Sequence, residues 1–423
     1  MLRLYPLDAR IPGLARIPRP ARRALRRLVQ TPRVRRHMAA LAHVRFVAIT
    51  GSMGKTTTKD LVAEMLATAG PTLKTRGTAN GLDAVPGTLM AVRPRHRFAA
   101  IELGIFDQPG EMAWMASLFR PRVAVLTGIG EDHLSAYGSQ AAIAREKRAL
   151  LARLGPSGTA VVNADDDLAR AAATGLECRV VLAGRADDAE VRVVAERLVW
   201  PDGVEVELTV DGRRLRARLP VPGRHLAPLV ALAVAAAGAC GIPPQRAVAA
   251  VERLSPAPGR LRVEPGPRGS TLLMDDYKSR LPTARAALAV LAEAPAERRI
   301  AVVGELQEVG PVGYEGLADD LAGAADLVVA VGRSGPVLRD RLDCAGLVEV
   351  PRVEDAAAFL AREARLGDVV LVHGATRQHL GRIALLLARE PVGCNVRRCV
   401  FHWLCDDCLY LRSGPPESCV EAA

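Results

Sequence analysis

The length, composition and charge of the chain exclude several classes of protein. Its 423 residues are 49% hydrophobic and 24% charged, which suffices for a large core and two or three domains and excludes a wholly disordered chain. The formal net charge of +11 arises within residues 1–45, which hold twelve arginines, no lysine and one aspartate. The rest of the chain is formally neutral, so a basic surface spread over the whole protein is excluded.

The Arg-rich N-terminal arm, residues 1–44, permits several interpretations. It is either a solvated basic face or a surface that docks to an anionic membrane, an anionic polymer, an acidic protein or a nucleic acid. Nucleic acid is disfavoured because the arm lacks the interleaved aromatic residues that stack on bases. The first ten residues contain no apolar secretory segment and prolines interrupt the next ten, so a cytoplasmic location is expected.

Strand-like apolar runs alternate with helical periodicity after the arm. A strand over 45–50 is followed by a glycine-containing turn and a helix over 55–69. Further strands are predicted over 98–103, 123–127 and 160–162, with helices over 111–119 and 139–154 between them. This alternation is typical of a mostly parallel α/β sheet.

A second alternating series comes after a predicted antiparallel hairpin. Residues 190–220 alternate apolar and polar side chains, and Asp211-Gly212 suits the turn. The uncharged segment 226–242 is rich in Ala and Gly, which favours a buried helix over a membrane span. Beyond residue 259, strands are predicted over 271–274, 300–303, 327–331 and 369–372. A second domain of Rossmann-like character is therefore expected.

The turn after the first strand carries the clearest functional signal. Gly51 and Gly54 allow backbone N–H groups to face phosphate oxygens, Lys55 supplies an ammonium group, and Thr56 supplies a hydroxyl for Mg²⁺. The match to the general phosphate-loop pattern is partial, because Ile49 stands where that pattern has a glycine. A ligand-free turn would not need Lys55 and Thr56 in succession, so the motif indicates nucleotide binding.

The shortened loop Thr50-Gly51-x-x-Gly54-Lys55-Thr56-Thr57 resembles that of the Mur ligase family. Other segments resemble the family in order and spacing, namely 75–86 with Asn80 and Val85-Pro86, Glu102-Leu-Gly104, Gly110-Glu111, Asp132-His133-Leu134, the helix with Lys147, and 162–166. The resemblance covers roughly residues 45–390 and is strongest to the member that adds D-alanyl-D-alanine. It implies an α/β protein with a P-loop central domain and a Rossmann-like C-terminal domain.

The resemblance also implies roles for individual residues. Lys55, Glu102, His133 and Lys147 would be catalytic, and Thr56, Glu102, His133 and a carbamylated Lys147 would hold Mg²⁺. The expected ATP-binding residues are Gly51, Ser52, Gly54, Lys55, Thr56, Thr57, Asn80, Arg260, Asp276 and Lys278. From the residues alone, a capping or core histidine, an exposed helix lysine and a structural strand-end glutamate remain alternatives.

The chain also departs from the family pattern. Leu226 and Leu229 replace two amides that can hydrogen-bond an adenine edge, so adenine specificity is in doubt. Gly81 replaces the second of two asparagines, and His373 replaces a lysine. The family's N-terminal domain, which binds the UDP end of the substrate, has no counterpart, so we expect a different acyl donor.

Four segments are predicted: the arm 1–44, an ATP-binding central domain 45–258, a C-terminal ligase domain 259–390 and a Cys-rich tail 391–423. The tail contains Cys394, Cys399, Cys405, Cys408 and Cys419. These soft ligands could form one structural Zn²⁺ site, and ordinary reduced thiols are the alternative. Nearby aromatic residues favour a packed segment.

Together these features predict an ATP-dependent ligase that joins a carboxylate to an amine through an acyl phosphate. The amine would be an amino acid or peptide, and the donor would be polymeric, lipid-linked or otherwise free of UDP. The alternatives are another kind of ATPase and a catalytically weak Mur-ligase-like partner subunit, to which the two lost amides point.

Overall fold

Two compact units make up the chain in a computed structural model that describes residues 19–307, 311–339, 341–342, 346–399 and 404–414. Unit 1 comprises Met1–Glu196, Val206–Arg218 and Leu226–Leu254. Unit 2 comprises Arg197–Glu205, Leu219–His225 and Ser255–Ala423. The boundaries of these two units do not coincide with those of the four predicted segments. The division into four segments therefore stays a prediction.

The first sheet has nine strands in the order β2-β3-β1-β4-β5-β6-β7-β8-β9. Their bounds are β1 (Arg45–Thr50), β2 (Thr72–Lys74), β3 (Phe98–Glu102), β4 (Val123–Leu126), β5 (Thr159–Asn163), β6 (Arg179–Gly184), β7 (Val191–Val199), β8 (Gly203–Val210) and β9 (Arg213–Leu219). Strand β1 lies between β3 and β4, parallel to both. Its buried position explains its unbroken apolar run, because both faces of a central parallel strand are covered.

Helices pack around the parallel part of this sheet. Their bounds are α1 (Arg19–Ala39), α2 (Lys55–Ala67), α3 (Val85–Ala91), α4 (Glu111–Ala116), α5 (Leu134–Tyr137), α6 (Gln140–Leu151), α7 (Asp167–Ala173), α8 (Ala227–Ala239) and α9 (Pro244–Ala250). Helix α8 is apolar all round and almost wholly buried against α2 and the sheet. The predicted buried helix over 226–242 is thus confirmed.

The predicted hairpin is confirmed. A two-residue connection, Asp211-Gly212, joins the neighbouring strands β8 and β9, and both residues have positive φ, 48° and 72°. This is the turn geometry that matches the twist of antiparallel strands. Among the described residues, no helix combines the length and apolarity needed to cross a membrane.

The second sheet has six strands in the order β10-β11-β15-β12-β13-β14. Its strands are β10 (Arg262–Pro265), β11 (Thr271–Asp275), β12 (Arg298–Val303), β13 (Leu327–Val331), β14 (Leu347–Val350) and β15 (Asp368–His373). The helices are α10 (Leu281–Glu293), α11 (Pro311–Ala324), α12 (Ser334–Arg339), α13 (Val353–Glu363) and α14 (Arg382–Leu387). Strand β10 is antiparallel to β11, and the other neighbouring strands of this sheet are parallel. The predicted fold class, α/β with two mostly parallel sheets, is confirmed.

Residues 27–44 of the Arg-rich arm contribute to the core of unit 1. Val34, Met38, Leu41 and Val44 are buried in the same apolar cluster as β1 and β3. Their spacing of four, three and three residues places them on one side of the helix and the turn after it. A wholly solvated basic face is therefore wrong for residues 27–44.

The described part of the Cys-rich tail packs on unit 2. The guanidinium of Arg382, 1% exposed, donates to the carbonyl oxygens of Cys394 at 2.6 Å and Val396 at 2.8 Å. The Cys399 amide donates to the Arg377 carbonyl at 2.9 Å. These bonds support the prediction of a packed segment.

Candidate active site

The turn between β1 and α2 is a close-packed loop that only glycine can form at two positions. Gly51 has φ of 150°, and a Cβ there would lie 1.9 Å from the Thr127 hydroxyl oxygen. Gly54 has φ of 77°, and its Cβ would lie 2.7 Å from a methyl of Leu229. The Ser52 hydroxyl accepts a hydrogen bond from the Gly130 amide at 2.8 Å. The loop is thus fixed in shape before any ligand binds.

Two lysines converge on this loop. The Lys55 ammonium donates to the carbonyl oxygens of Gly51 at 2.8 Å and Ser52 at 3.1 Å. The ammonium of Lys147, which is 1% exposed, donates to the same Gly51 carbonyl at 3.0 Å. The alternative of an exposed helix charge at Lys147 is therefore wrong. Two positive charges this close repel each other, so an anion beside them is strongly stabilised. Thr57 follows in the first turn of α2, whose N-terminus adds to this field.

A buried carboxylate lies at the end of β3. The Glu102 Oε1 atom accepts hydrogen bonds from Asn80 Nδ2 at 2.6 Å and Thr56 Oγ1 at 3.2 Å. The Oε2 atom is buried, with no hydrogen-bond partner among the described residues. A buried carboxylate oxygen of this kind beside a hydroxyl suits a hard divalent cation such as Mg²⁺. Asn80 acts here by orienting Glu102.

His133 lies at the start of α5 with a positive φ of 66°. Its ring centre is 5.6 Å from that of Phe106, and its Nε2 is 3.6 Å from Asp132 Oδ2. In the described part of the chain, no group of three or more His, Cys, Asp or Glu side chains is arranged to hold a metal ion. The Mg²⁺ ligand set and the carbamylation of Lys147 stay predictions.

Glu111, the first residue of α4, was not among the predicted site residues. Its side chain is buried, and its Oε2 accepts a hydrogen bond from the Phe106 amide at 2.6 Å. Burial raises the pKa of Glu111 to about 7, with a further rise from Asp107. Its only sequence signal was the Gly110-Glu111 pair, one of the segments that resemble the Mur ligase family.

In unit 2, the predicted nucleotide-binding residues flank β10 and β11 in the sequence. Arg260 precedes β10, and Asp276 and Lys278 follow β11. The Arg260 guanidinium lies 4.8 Å from the ring centre of Tyr277, whose amide donates to the Gly259 carbonyl at 3.1 Å. Asp276 is buried beside Gly259, and burial raises the pKa of Asp276 to about 6. Lys278 follows, half-buried. The structure therefore brings Arg260 and Asp276 to one place.

A cavity of about 240 Å³ adjoins Asp276, and the tail forms part of its wall. The Cys405 thiol lies 3.2 Å from His379 Nδ1, and burial raises the pKa of Cys405 to about 12. The described cysteines of the tail form no disulfide bond, namely Cys394, Cys399, Cys405 and Cys408. Cys419 lies outside the described residues. The zinc site stays a prediction.

Three residues that depart from the family pattern are buried in the structure, namely Leu226, Leu229 and His373. Leu226 and Leu229 are buried, and Leu229 packs against Gly54 of the phosphate loop. His373, 2% exposed, is paired through Nδ1 with Asp275 Oδ2 at 2.8 Å, across the adjacent ends of β15 and β11. This bond uses one ring nitrogen of His373, at a position where the family pattern has a lysine, while the other, Nε2, is buried with no hydrogen-bond partner among the described residues.

A glycine-built loop at the end of a parallel strand, two lysines on its carbonyl and a strand-end carboxylate define a P-loop protein that binds nucleotide phosphates. Sequence models of two domains match the chain: the Mur ligase middle domain over residues 49–237, and the Mur ligase glutamate ligase domain over residues 259–376. The chain belongs to the Mur ligase family. The resemblance seen in the motifs is thereby confirmed.

Curated relatives agree with this assignment. The UDP-N-acetylmuramoyl-tripeptide–D-alanyl-D-alanine ligase of Escherichia coli K12 is 34% identical to this chain. The aligned region covers 63% of this chain and 59% of that protein. The Mycobacterium tuberculosis H37Rv ligase of the same name is 30% identical, with 83% of this chain and 74% of that protein covered. The chain thus spans less than two thirds of the Escherichia coli relative.

Solved structures share both domains. MurF from Acinetobacter baumannii superposes with a TM-score of 0.78 at 27% identity, covering 86% of this chain and 81% of that one. MurF from Thermotoga maritima, solved with ADP, gives a TM-score of 0.76 at 20% identity over 86% and 84% of the two chains. The second likeness bears on the fold alone.

Proposed function

We propose that the protein is an ATP-dependent carboxylate–amine ligase. The γ-phosphoryl group of ATP passes to a substrate carboxylate, ADP leaves, and the resulting acyl phosphate is attacked by an amine, which forms an amide and releases phosphate. The observation that carries this proposal is the convergence of Lys55 and Lys147 on the Gly51 carbonyl, beside Thr56 and Glu102. Family membership supports the same chemistry.

The residues of the loop stabilise negative charge. The ammonium group of Lys55 and the N-terminus of α2 would stabilise the negative charge of a triphosphate, including the charge that grows on the transferred group. Lys147 adds positive charge as an ammonium group, and once carbamylated, as the family pattern implies, it would instead be an anionic ligand of Mg²⁺. Thr56 and Glu102 would hold Mg²⁺, which supplies further charge neutralisation when bound. His133 is proposed for a second metal position. Asn80 holds Glu102 in the required orientation.

In unit 2, Asp276 would bind the ribose, and Arg260 and Lys278 would bind phosphates. These roles come from the family pattern and are supported by the contact of Gly259 with both Asp276 and Tyr277. The amine would be an amino acid or peptide, in keeping with the names of the curated relatives. We propose a cytoplasmic enzyme that joins this amine to a carboxylate donor.

A second candidate is a catalytically weak ATP-binding partner subunit. The specific observation in its favour is Leu229, which packs its methyl groups on Gly54 where the family pattern has an amide. Such a protein would bind a nucleotide through the loop without forming amide bonds.

Phosphate release distinguishes these candidates. The purified protein is incubated with ATP, Mg²⁺, a panel of carboxylate donors and a panel of amino acids and dipeptides. The ligase proposal requires release that depends on both donor and amine. Release independent of any amine indicates an ATPase of another kind, and tight ATP binding with no release indicates the partner subunit.

A further inference from the structure

Helix α1 has two faces of opposite character. Its inner face is anchored to unit 1, because Val34 and Met38 are buried in the core. Arg27 stacks over the Trp114 ring at 5.1 Å, and Arg35 donates to the Ser117 carbonyl at 3.0 Å. The helix is therefore a fixed part of unit 1, and its outer face is held in a fixed orientation.

The outer face of α1 combines exposed apolar and cationic side chains. Leu28 and Val29 are adjacent and are 72% and 64% exposed, so they form a small apolar patch on this face. Pro32, Arg33 and Arg36 share this face and are exposed. At 100° per residue, all five fall within less than half of the helix circumference. The whole helix contains no acidic residue.

We propose that this outer face of α1 docks on an anionic lipid bilayer. Arginines on a fixed helix face pair with acidic lipid headgroups, and the aliphatic side chains between them enter the boundary with the acyl chains. All of the net charge of the protein lies in residues 1–45, so the attraction is local to this helix and the segment before it. The inference is independent of the ligase activity.

Two other anionic partners fit this face less well. The phosphate backbone of a nucleic acid offers no apolar surface for Leu28 and Val29, and the described part of the face has no aromatic side chain that could stack on a base. An acidic protein would need a matching apolar patch between its carboxylates, whereas every bilayer has an apolar interior beneath its headgroups.

Co-sedimentation of the full chain with vesicles tests this proposal. Vesicles of phosphatidylcholine alone are compared with vesicles that also contain phosphatidylglycerol, near physiological ionic strength. We expect binding only to the anionic vesicles, and weaker binding as salt is raised. Leu28→Ser with Val29→Ser, and separately Arg33→Gln with Arg36→Gln, should each lower the partition coefficient by about tenfold or more.

Matched controls come from elsewhere on the surface. Leu366→Ser removes an aliphatic side chain that is 73% exposed, and Arg213→Gln with Arg214→Gln removes two exposed arginines from β9. Both controls should bind vesicles as the parent does, and circular dichroism should show that all variants fold. Equal loss in the controls would overturn the proposal. It would also be overturned if the Leu28/Val29 variant bound unchanged while duplex DNA or heparin competed fully, because the face would then be a general polyanion surface.

Discussion

The ends of the central strands in the two sheets use polar residues in different ways. At the end of β1 and β3, Lys55 and Lys147 share one carbonyl, and one oxygen of Glu102 has no hydrogen-bond partner among the described residues. At the end of β11 and β15, His373 is paired with Asp275. The first edge concentrates charge for a ligand, whereas part of the second is satisfied within the protein.

This difference between the two edges agrees with where the sequence matches the family pattern and where it departs from it. Phosphate binding depends on a few charges at fixed distances, and a change of any one of them weakens it strongly. Recognition of the amine, the donor and the base depends on shape and hydrogen bonding, and these can be rebuilt from other residues. The phosphate loop therefore keeps the family sequence, while Leu229 and His373 depart from it.

Replacing Lys55 tests the charged edge most severely. Lys55→Ala should lower donor-dependent phosphate release by about a thousandfold, because the transferred phosphoryl group loses its main cation. Steady-state phosphate assays measure the effect, and Lys74→Ala, a half-exposed lysine paired with Asp60, is the control. Activity within a few fold of the parent would place the site elsewhere.

Glu102→Gln should cause the next largest loss. The amide keeps the size of the side chain and can still accept from Asn80, but it removes the negative charge that suits Mg²⁺. We expect about a hundredfold lower activity at limiting Mg²⁺, with partial recovery as Mg²⁺ is raised. Glu64→Gln, on the partly exposed side of α2, is the control. A loss unaffected by Mg²⁺ concentration would contradict a metal role.

In the second unit, Asp276 should make stability depend on pH. Burial raises the pKa of Asp276 to about 6 in the folded protein, so the folded state holds its proton more tightly than the unfolded state does. The resulting stability is fully present below the unfolded pKa and is lost as pH rises through about 6. Asp276→Asn removes this dependence. Relative to the parent, the variant should gain roughly 1–2 kcal/mol between about pH 5 and about pH 7.5.

Urea unfolding at both pH values measures this change, with Asp319→Asn, at an exposed position of α11, as the control. The same Asp276→Asn variant should bind ATP more weakly, since a carboxylate that accepts ribose hydroxyls is lost. A pH dependence identical to that of the parent would show that Asp276 is ionised throughout.

Restoring the family amides should have the smallest effect. Leu226→Asn with Leu229→Asn supplies groups that can hydrogen-bond an adenine edge. We expect the preference for ATP over GTP to rise by several fold, measured as the ratio of kcat/KM values. An unchanged ratio would mean that the base is recognised by other residues. Leu232→Asn, deeper in α8, controls for destabilisation of the helix.

Much of the architecture could be predicted from sequence, because central strands are continuous apolar runs between glycine turns. The strand–loop–helix unit at 45–67 was predicted closely, as were β11, β12, β13 and β15. Strands β2, β6, β10 and β14 were missed, because β2, β10 and β14 are only three or four residues long and β6 mixes apolar residues with terminal Arg and Gly. Short or peripheral strands carry too little periodicity to distinguish them from loops.

Individual site residues were harder to predict than strands. Lys147 stands among Arg145, Glu146 and Arg148, which is typical of a solvated helix, and its burial follows only from the approach of α6 to the loop. For α1, the signal was present in the spacing of Val34, Met38 and Leu41, but the density of arginine obscured it. Tertiary contact overrides local composition in both cases.

The buried guanidinium of Arg382 has a practical consequence for anyone who shortens the protein. Ending the chain before Cys394 would strip this side chain of two main-chain acceptors and leave it with the ion pair to Glu354. Such a truncation would therefore disturb the packing around Arg382 whether or not zinc is present, and a loss of stability would not by itself indicate a metal site. Cys405→Ser with Cys408→Ser, in the intact chain, is the sounder way to ask what the thiols contribute.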